Sequence, residues 1–390
     1  EFSWTKKTAM LVLEQPGGTG FSTASTEWTG EEAQKRTEDD VARDFYAFLQ
    51  NIYSVFGELG KKKLYISGES YAGMYIPSII ARGIHLRNKR VIAKEKGHQS
   101  LKVVNLKGLA IGNGWIDAKI QGPTTIDFAY WHGMIDLNTQ RGLHAKWDEC
   151  MEQQILGSSE TPFHPFTTPD ECAINAGTII ASGDIFQYDV TTYDAYPAVL
   201  DEDATISNFF NDAAVRNALN APSMEEHPKW LACVPGSGRR RRLESPQHRE
   251  LILLENDKPL SVVPYIAELL DDGKLDILMY NGDLDLACNA QGTELALESM
   301  DWSGKTEWLD PYTTKWHEWI VDGQVAGHTK KFKNLEFLVV YNSGHFVPIN
   351  QAQHSLNMIG RLLDGKSMGD KELPQFPLPK KYNIKGDTIT

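Results

Sequence analysis

Short apolar runs separated by amphipathic stretches occupy both ends of the chain. Runs typical of buried strands are AMLVLE at 9–14, KLYIS at 63–67, LKGLAIG at 106–112, LDILMY at 275–280 and LEFLVVY at 335–341. Helical spacing occurs in DDVARDFYAFLQNIYSVF at 39–56, which Thr37 can cap, and in SVVPYIAELLDDG at 261–273, which stops at Gly273. Strands that alternate with helices form mostly parallel sheets covered on both faces, so the pattern predicts an α/β fold.

The alternation breaks down between about Asp117 and Cys233, where the sequence is polar and rich in Thr and Pro. We interpret residues 118–233 as an inserted helical cap over the carboxyl edge of the sheet. Residues 1–117 and 234–390 then form the core. The segment 233–250, which contains the run Arg239 to Arg242, has the Gly, Ser, Pro and charge of an exposed loop.

Composition narrows the possible functions. Hydrophobic residues make up 41% of the 390 residues, enough for a large core, and the net charge of -13 argues against an extended nucleic-acid surface. The chain has no apolar run of eighteen residues and no signal-peptide pattern at its start, so we expect a soluble mature form or a fragment, without a membrane segment. No HExxH spacing occurs, and LEQPGGTGFS at 13–22 lacks the phosphate-loop spacing, so neither a metal nor another cofactor is expected.

Four cysteines allow one or two disulfide bonds. Cys150 and Cys172 lie in the same polar stretch. A bond between them would close a loop of roughly 20 residues, worth about 3 kcal/mol, and would indicate an oxidising compartment. The sequence contains no Asn-x-Ser/Thr acceptor, which is unexpected for a secreted eukaryotic chain. These two observations leave the compartment open.

The hexapeptide GESYAG, from Gly68 to Gly73, connects the apolar run KLYIS to a helical pattern. This context fits a nucleophile elbow, a strained turn that holds a serine between small residues, here Gly68 and Ala72. The spacing is G-x-S-x-A-G rather than G-x-S-x-G, so an ordinary tight turn at Ser70 remains the alternative.

A serine nucleophile needs a base and a carboxylate, in the chain order Ser, Asp, His for this fold. Two later strands end in those residue types: Asp283 and Asp285 follow LDILMY, and His345 follows LEFLVVY. Open parallel sheets bind ligands at the carboxyl ends of their strands, so we expect these groups to lie together.

Four motifs together, GESYAGMYIP, IGNGWID, YNGDLDLACN and NSGHFVP, resemble the serine carboxypeptidases, peptidase family S10. LEQPGGTGFS and YDVTTYDAYP are most similar to the fungal pheromone-processing branch. The resemblance covers the chain from Glu1 to about Leu363. It implies an α/β-hydrolase fold with a helical cap. It also implies removal of single C-terminal residues, with Lys and Arg as candidates, from peptides and proproteins. The expected location is the secretory pathway, the vacuole/Golgi or the outside of the cell.

By this resemblance Ser70 is the nucleophile, His345 the base, Asp285 rather than Asp283 the orienting carboxylate, and the Tyr71 N–H an oxyanion donor. Glu69 is expected to be protonated and to bind the substrate carboxylate, which raises its pKa and favours acidic conditions. A solvated glutamate is the alternative.

The resemblance also implies elements that the printed sequence does not contain. Family members carry a W-x-N-G-G-P-G-C-S-S motif upstream that supplies a second oxyanion donor, and losing such a donor costs about a hundredfold to a thousandfold in rate. In family members, upstream residues also help to bind the substrate carboxylate, and an upstream cysteine forms a disulfide bond with the cysteine that matches Cys233. Cys288 matches a position that is often a free thiol in the family. Two other functions therefore stay open: a catalytically silent binding or protective protein, and an acyltransferase on the same scaffold.

Overall fold

A six-stranded sheet forms the centre of the protein in the computed structural model, which describes residues 1–16, 19–22, 38–96, 100–157, 185–192, 205–225, 229–230 and 261–371. The strands are β1 (Leu64–Glu69), β2 (Leu106–Gly112), β3 (Asp276–Gly282), β4 (Trp316–Val321), β5 (Gln324–Phe332) and β6 (Leu335–Val340). Their order across the sheet is β1-β2-β3-β6-β5-β4. Strands β1, β2, β3 and β6 run parallel, and β5 pairs antiparallel with both β6 and β4. The predicted α/β fold with a mostly parallel sheet is confirmed.

Helices cover both faces of this sheet. They are α1 (Glu38–Val55), α2 (Ala72–Ser78), α3 (Leu86–Ile92), α4 (Ala118–Gln121), α5 (Thr124–Trp131), α6 (Leu137–Gly157), α7 (Thr205–Asn211), α8 (Ala213–Ala218), α9 (Val263–Asp272), α10 (Ala290–Ser299), α11 (Lys305–Leu309), α12 (Val347–Asn350) and α13 (Ala352–Asp364). A π-helical turn, Ile79–His85, joins α2 to α3. None of the helices in the described ranges has both the length and the apolar character of a membrane span.

Alternating side chains of the central strands supply two separate cores. On β3, Ile277 and Met279 join a cluster with α1, α2 and α9, whereas Leu278 and Tyr280 point to the opposite face and pack with α13. Successive side chains of a strand point to opposite faces, so a strand buried on both faces must be apolar at every position. This explains why residues 277–280 of LDILMY are apolar at every position, whereas Asp276 at the start of the strand is exposed.

The two predicted helices form close to the expected positions. Helix α1 spans Glu38–Val55 and buries Val41 and Leu49 in the first core, while Phe56 is exposed. Helix α9 ends where Gly273 adopts a left-handed conformation (φ 68°), which glycine allows without a steric cost.

The strand predicted at residues 9–14 is wrong. These residues have no regular secondary structure, and the side chains of Met10, Leu11 and Val12 are exposed. A strand needs hydrogen-bonding partners as well as apolar side chains. Among the described residues, β1 is the outermost strand at this end of the sheet and pairs only with β2.

The antiparallel strands β4 and β5 were absent from the sequence prediction. Their turn contains Asp322 and Gly323, both with positive φ (49° and 78°), and an Asp-Gly pair is a strong signal for a two-residue hairpin. The polar residues of β4, such as His317 and Glu318, obscure the strand pattern. The Asp-Gly pair between them and β5 could have revealed the hairpin.

Helices α4 to α8 lie within the segment that the sequence assigns to a cap. Ile126, Phe128 and Trp147 form a third apolar cluster there, and this cluster includes Leu286 from the loop after β3. The boundaries at residues 118–233 stay a prediction. Cys172, Cys233 and the run Arg239 to Arg242 lie outside the described residues, so the proposed disulfide stays a prediction as well.

Candidate active site

Ser70 occupies a strained turn between β1 and α2. Its φ is 62°, a left-handed conformation that non-glycine residues rarely adopt. Three backbone hydrogen bonds hold the turn: Ser70 N–H donates to Gly112 O (2.9 Å), and Ser70 O accepts from Gly73 N–H (2.9 Å) and Trp115 N–H (3.0 Å). The serine therefore projects from the carboxyl edge of the sheet, as in a nucleophile elbow.

Small residues beside Ser70 are required by the packing of this turn. A Cβ atom at Gly68 would lie 2.5 Å from the Ala72 Cβ, and one at Gly73 would lie 2.5 Å from the Trp115 carbonyl oxygen. Such distances are far below normal van der Waals contact. The GESYAG sequence thus meets the steric demands of an elbow although its spacing differs from the commoner motif.

His345 and Asp285 form a buried, hydrogen-bonded pair. Their side chains are 2% and 0% exposed, and His345 Nδ1 lies 2.6 Å from Asp285 Oδ2. Burial disfavours protonation of His345, but the Asp285 carboxylate and Glu69 outweigh it and raise the pKa of the imidazole above its usual value. The hydrogen bond orients the ring, and the negative charge stabilises an imidazolium.

Asp285 and Asp283 have different partners. Asp285 Oδ1 accepts from the Ala287 N–H (3.0 Å), so both of its oxygens are engaged. Asp283 Oδ1 instead accepts from the Ser343 N–H (3.1 Å) and supports the loop that carries His345. Burial raises the pKa of Asp283, although its bonds to backbone N–H groups oppose the rise. The geometry therefore gives Asp285 the position beside the histidine.

Asn113, which follows β2, is a site residue that sequence reasoning missed. Its side chain is fully buried, its Nδ2 donates to Asp285 Oδ2 (2.8 Å), and its Oδ1 accepts from the Gly282 N–H (3.1 Å). The second bond fixes the amide so that its donor faces the carboxylate. Asn113 has a φ of 42°, which Asn tolerates better than most residues. Its position directly after a buried parallel strand was the available signal.

Glu69 lies at the end of β1, next to Ser70. Burial, reinforced by the charge of Asp285 and opposed by His345, raises its pKa to about 7. From the sequence alone, a bound substrate carboxylate is the expected cause of a raised pKa at Glu69. In the structure burial alone already favours the protonated form, so Glu69 is a hydrogen-bond donor in weakly acidic solution.

Tyr71 follows Ser70 and immediately precedes α2. Its backbone N–H has the sequence position of the oxyanion donor in a nucleophile elbow. Within the part of the chain that the structure describes, Ser70 Oγ makes no hydrogen bond to His345. The structure thus joins His345, Asp285 and Asn113 directly, and it places Glu69 close enough for its charge to act on His345.

One group of potential metal ligands occurs among the described residues. Side-chain atoms of Asp285, Cys288 and His345 lie within 4.8 Å of one another. Burial raises the pKa of the Cys288 thiol, which keeps it protonated and a poor ligand, while Asp285 and His345 bind each other. We therefore assign no metal to this group.

Comparisons with known proteins identify the family of this chain. The family model described as serine carboxypeptidase, Peptidase_S10, matches residues 1–365. A pheromone-processing carboxypeptidase KEX1 of Paracoccidioides brasiliensis is 32% identical over 93% of this chain and 55% of its own length. The serine carboxypeptidase-like 48 protein of Arabidopsis thaliana is 31% identical over 94% of this chain and 66% of its own length.

A solved structure shares the fold. The prohormone-processing carboxypeptidase Kex1(delta)p of Saccharomyces cerevisiae matches with a TM-score of 0.73 and 25% identity, over 93% of this chain and 75% of that one. The chain spans between about half and two thirds of the length of its curated relatives from Paracoccidioides brasiliensis and Arabidopsis thaliana. The fold is that of the α/β-hydrolases, and the chain belongs to the serine carboxypeptidase family.

Proposed function

We propose that this chain carries the catalytic groups of a serine carboxypeptidase, which releases single C-terminal residues from peptides and proproteins through an acyl-enzyme. The observation that carries the proposal is the buried pair His345–Asp285, at the same sheet edge as an elbow serine whose neighbour Glu69 has its pKa raised to about 7 by burial. Family membership supports it.

Ser70 is the nucleophile in this proposal. Its Oγ attacks the carbonyl carbon of the last peptide bond while His345 Nε2 takes the hydroxyl proton. Asp285 stabilises the imidazolium, and the Tyr71 N–H donates to the oxyanion. His345 then gives the proton to the departing amino group, and water repeats the cycle on the ester. Catalytic hydrogen bonds are often long before substrate binds, so Ser70 and His345 come into contact in the complex.

Glu69 restricts the reaction to chain ends. A protonated carboxyl group donates a hydrogen bond to the substrate's terminal carboxylate, whereas a charged one repels it. With a pKa near 7, Glu69 is protonated in acidic solution, which favours binding of the substrate carboxylate at acidic pH, whereas protonation of His345 lowers kcat as the pH falls. An internal peptide segment has no carboxylate for this group to bind. The substrates are therefore the C-termini of peptides or proteins.

The relatives suggest the substrate class and compartment. Two of them are named as pheromone-processing and prohormone-processing carboxypeptidases, so we propose that the substrates include pheromone or hormone precursors. The resemblance of LEQPGGTGFS and YDVTTYDAYP to the pheromone-processing branch extends this proposal to precursors that end in Lys or Arg. The same names support a location in the secretory pathway, the vacuole/Golgi or the extracellular space. A Cys150–Cys172 disulfide would fit such a compartment.

A fluorophosphonate probe tests the enzyme directly. We expect it to label Ser70, and we expect the chain to hydrolyse a blocked dipeptide with a free carboxylate faster than its amide. Peptide mapping locates the label, with Ser70→Ala as the control. Absence of labelling would support the silent binding protein. Transfer of the acyl group to an added alcohol in place of water would support the acyltransferase.

A further inference from the structure

Residues 185–192 contact both loops that carry the histidine and the aspartate. The Gln187 carbonyl accepts hydrogen bonds from Leu286 N–H (3.0 Å) and Ala287 N–H (3.2 Å), on the far side of Asp285. Val190 N–H donates to Leu284 O (3.0 Å), on its near side. The residues flanking Asp285 are thus bound to one short segment.

The same segment holds His345. The Tyr188 carbonyl accepts the backbone N–H of His345 at 2.7 Å. The Tyr188 ring lies against the imidazole, with ring centroids 4.5 Å apart and an interplanar angle of 34°. A Cβ at Gly344 would lie only 2.2 Å from the Tyr188 carbonyl oxygen, so the two backbones touch here.

Local hydrogen bonds give this segment a fixed shape. Phe186 N–H donates to Thr192 O (3.0 Å), which closes the turn. The Asp189 carboxylate accepts from both the backbone N–H (3.0 Å) and the hydroxyl (2.6 Å) of Thr191. Val190 also packs against the apolar cluster that contains Ile126 and Leu286. The segment is therefore a preformed element rather than a loose loop.

We propose that residues 185–192 act as a positioning clamp, which sets the distance and orientation between the His345 ring and the Asp285 carboxylate. The clamp contacts backbone atoms on both loops and the ring of His345, whereas the hydrogen bond that it supports spans only 2.6 Å. A displacement of about 1 Å in a catalytic group can cost a hundredfold in rate. The clamp lies in the proposed cap segment, so the cap and the proposed catalytic pair are mechanically linked.

The test uses variants that disturb the clamp without replacing His345 or Asp285. Asp189→Ala removes the acceptor for Thr191, whereas Asp189→Asn keeps an oxygen in that place. Asp310→Ala is the matched control, because Asp310 makes the same kind of turn with Tyr312 and Thr313 before β4. Tyr188→Leu and Tyr188→Phe form a second pair that removes or keeps the ring.

Two measurements are made on each folded variant. The first is the rate of labelling by a fluorophosphonate, and the second is the far-downfield NMR resonance of the proton between His345 and Asp285. We expect Asp189→Ala and Tyr188→Leu to label about tenfold more slowly and to shift or broaden the resonance, with kcat lowered and KM little changed. Asp189→Asn, Tyr188→Phe and Asp310→Ala should resemble the wild type.

The labelling rate and kcat rest on the proposed function, but the resonance does not. If the wild type is not labelled, the proposed function fails and the resonance still tests the clamp. A wild-type resonance in Asp189→Ala, in which the Tyr188 ring beside His345 is unchanged, would overturn the clamp. Equal losses in the conservative variants and in Asp310→Ala would also overturn it, because they would reflect general destabilisation.

Discussion

The parallel half of the sheet carries polar site residues at its carboxyl edge, whereas the antiparallel half contributes a large buried side chain. In the parallel half, the carboxyl ends of β1, β2, β3 and β6 open on one edge, where the loops that follow them carry Ser70, Asn113, Asp285 and His345. In the antiparallel half, β4 and β5 form a hairpin whose large side chain Trp319 is fully buried. Strand direction explains the difference, since only parallel strands bring all their carboxyl ends to the same edge.

Backbone strain follows the same division. Ser70 and Asn113 have positive φ at the site, and Asn113 is fully buried with its polar atoms bonded. In the hairpin, positive φ occurs at Asp322 and Gly323, where a two-residue turn requires it. Strain beside the proposed catalytic groups would serve their positioning, whereas strain in the hairpin serves the chain reversal. Substitutions at the site in the parallel half should therefore lower kcat, whereas substitutions in the hairpin should lower the free energy of unfolding.

The largest expected effect is the loss of activity in the parallel half. Ser70→Ala and His345→Ala should each lower kcat at least about 10⁴-fold, because both residues serve one proton transfer. Thermal unfolding should change little for Ser70→Ala, since the serine makes its contacts through the backbone. Steady-state kinetics on a peptide with a free carboxylate provides the measurement. Either variant that keeps more than about a tenth of the rate removes that residue from the mechanism.

The two aspartates sharpen this result. Asp285→Asn should be severe because the amide favours the wrong histidine tautomer, as in other catalytic triads. Asp283→Asn should be milder because an amide oxygen can still accept the Ser343 N–H. The opposite ranking would show that Asp283 is the orienting carboxylate.

The next effect belongs to the antiparallel half and concerns stability. Trp319→Ala should lower the free energy of unfolding by about 3–5 kcal/mol, because it empties a fully buried site between the sheet and α13. The kcat of the folded fraction should stay near wild type. Denaturant unfolding and kinetics at low temperature measure the two quantities. A drop in kcat as large as that of Asp285→Asn would show that the halves are not separable.

The parallel half was also the half that the sequence predicted well. Strands β2 and β3 are buried along most of their length, so LKGLAIG and LDILMY are largely apolar, interrupted only by Lys107 and Asp276, and the loops after them carry residues of the proposed site. The hairpin mixes polar and apolar residues, and residues 9–14 are apolar without forming a strand. Apolar sequence reports burial, whereas strand pairing depends on neighbours that are distant in the chain.

The candidate active site shows the same limit of prediction from sequence patterns. Chain order and strand ends were enough to select Ser70, His345 and a choice between two aspartates. Neither Asn113 nor Tyr188 could be assigned a role, because the bond from Asn113 to Asp285 joins residues 172 positions apart and the ring contact of Tyr188 depends on how the insertion folds back. Local patterns identify reactive groups, and tertiary structure identifies the groups that hold them.

A smaller effect tests Asn113. Asn113→Gly, which tolerates the positive φ, should lower kcat about tenfold to a hundredfold, because Asp285 loses one of the donors that orient it. Asn113→Ala should lose more stability than Asn113→Gly, since it adds strain at φ 42°. Kinetics and thermal unfolding of both variants separate positioning from strain. A wild-type kcat in Asn113→Gly would make the hydrogen bond irrelevant to catalysis.

The smallest effect is a change in pH dependence at Glu69. Below about pH 7 the carboxyl group is protonated and donates to the substrate carboxylate, and above that pH it is charged and repels it. The wild-type KM for a free-acid peptide should therefore rise as the pH increases through about 7. In Glu69→Gln the amide donates at every pH, so the KM should stay nearly flat.

The same substitution has a second consequence, which an amidated peptide isolates. Only the charged form of Glu69, which is present above about pH 7, helps to raise the pKa of His345, so Glu69→Gln should move the upper part of the acid limb of kcat/KM to lower pH. An amidated peptide should show this shift without the change in KM, because it has no carboxylate to bind. Profiles from about pH 4 to 8 for both peptides distinguish the two effects. If the variant keeps the wild-type KM profile on the free acid, Glu69 does not recognise the chain end. The exopeptidase assignment would then depend on family resemblance alone, while the catalytic pair at the parallel edge would be unaffected.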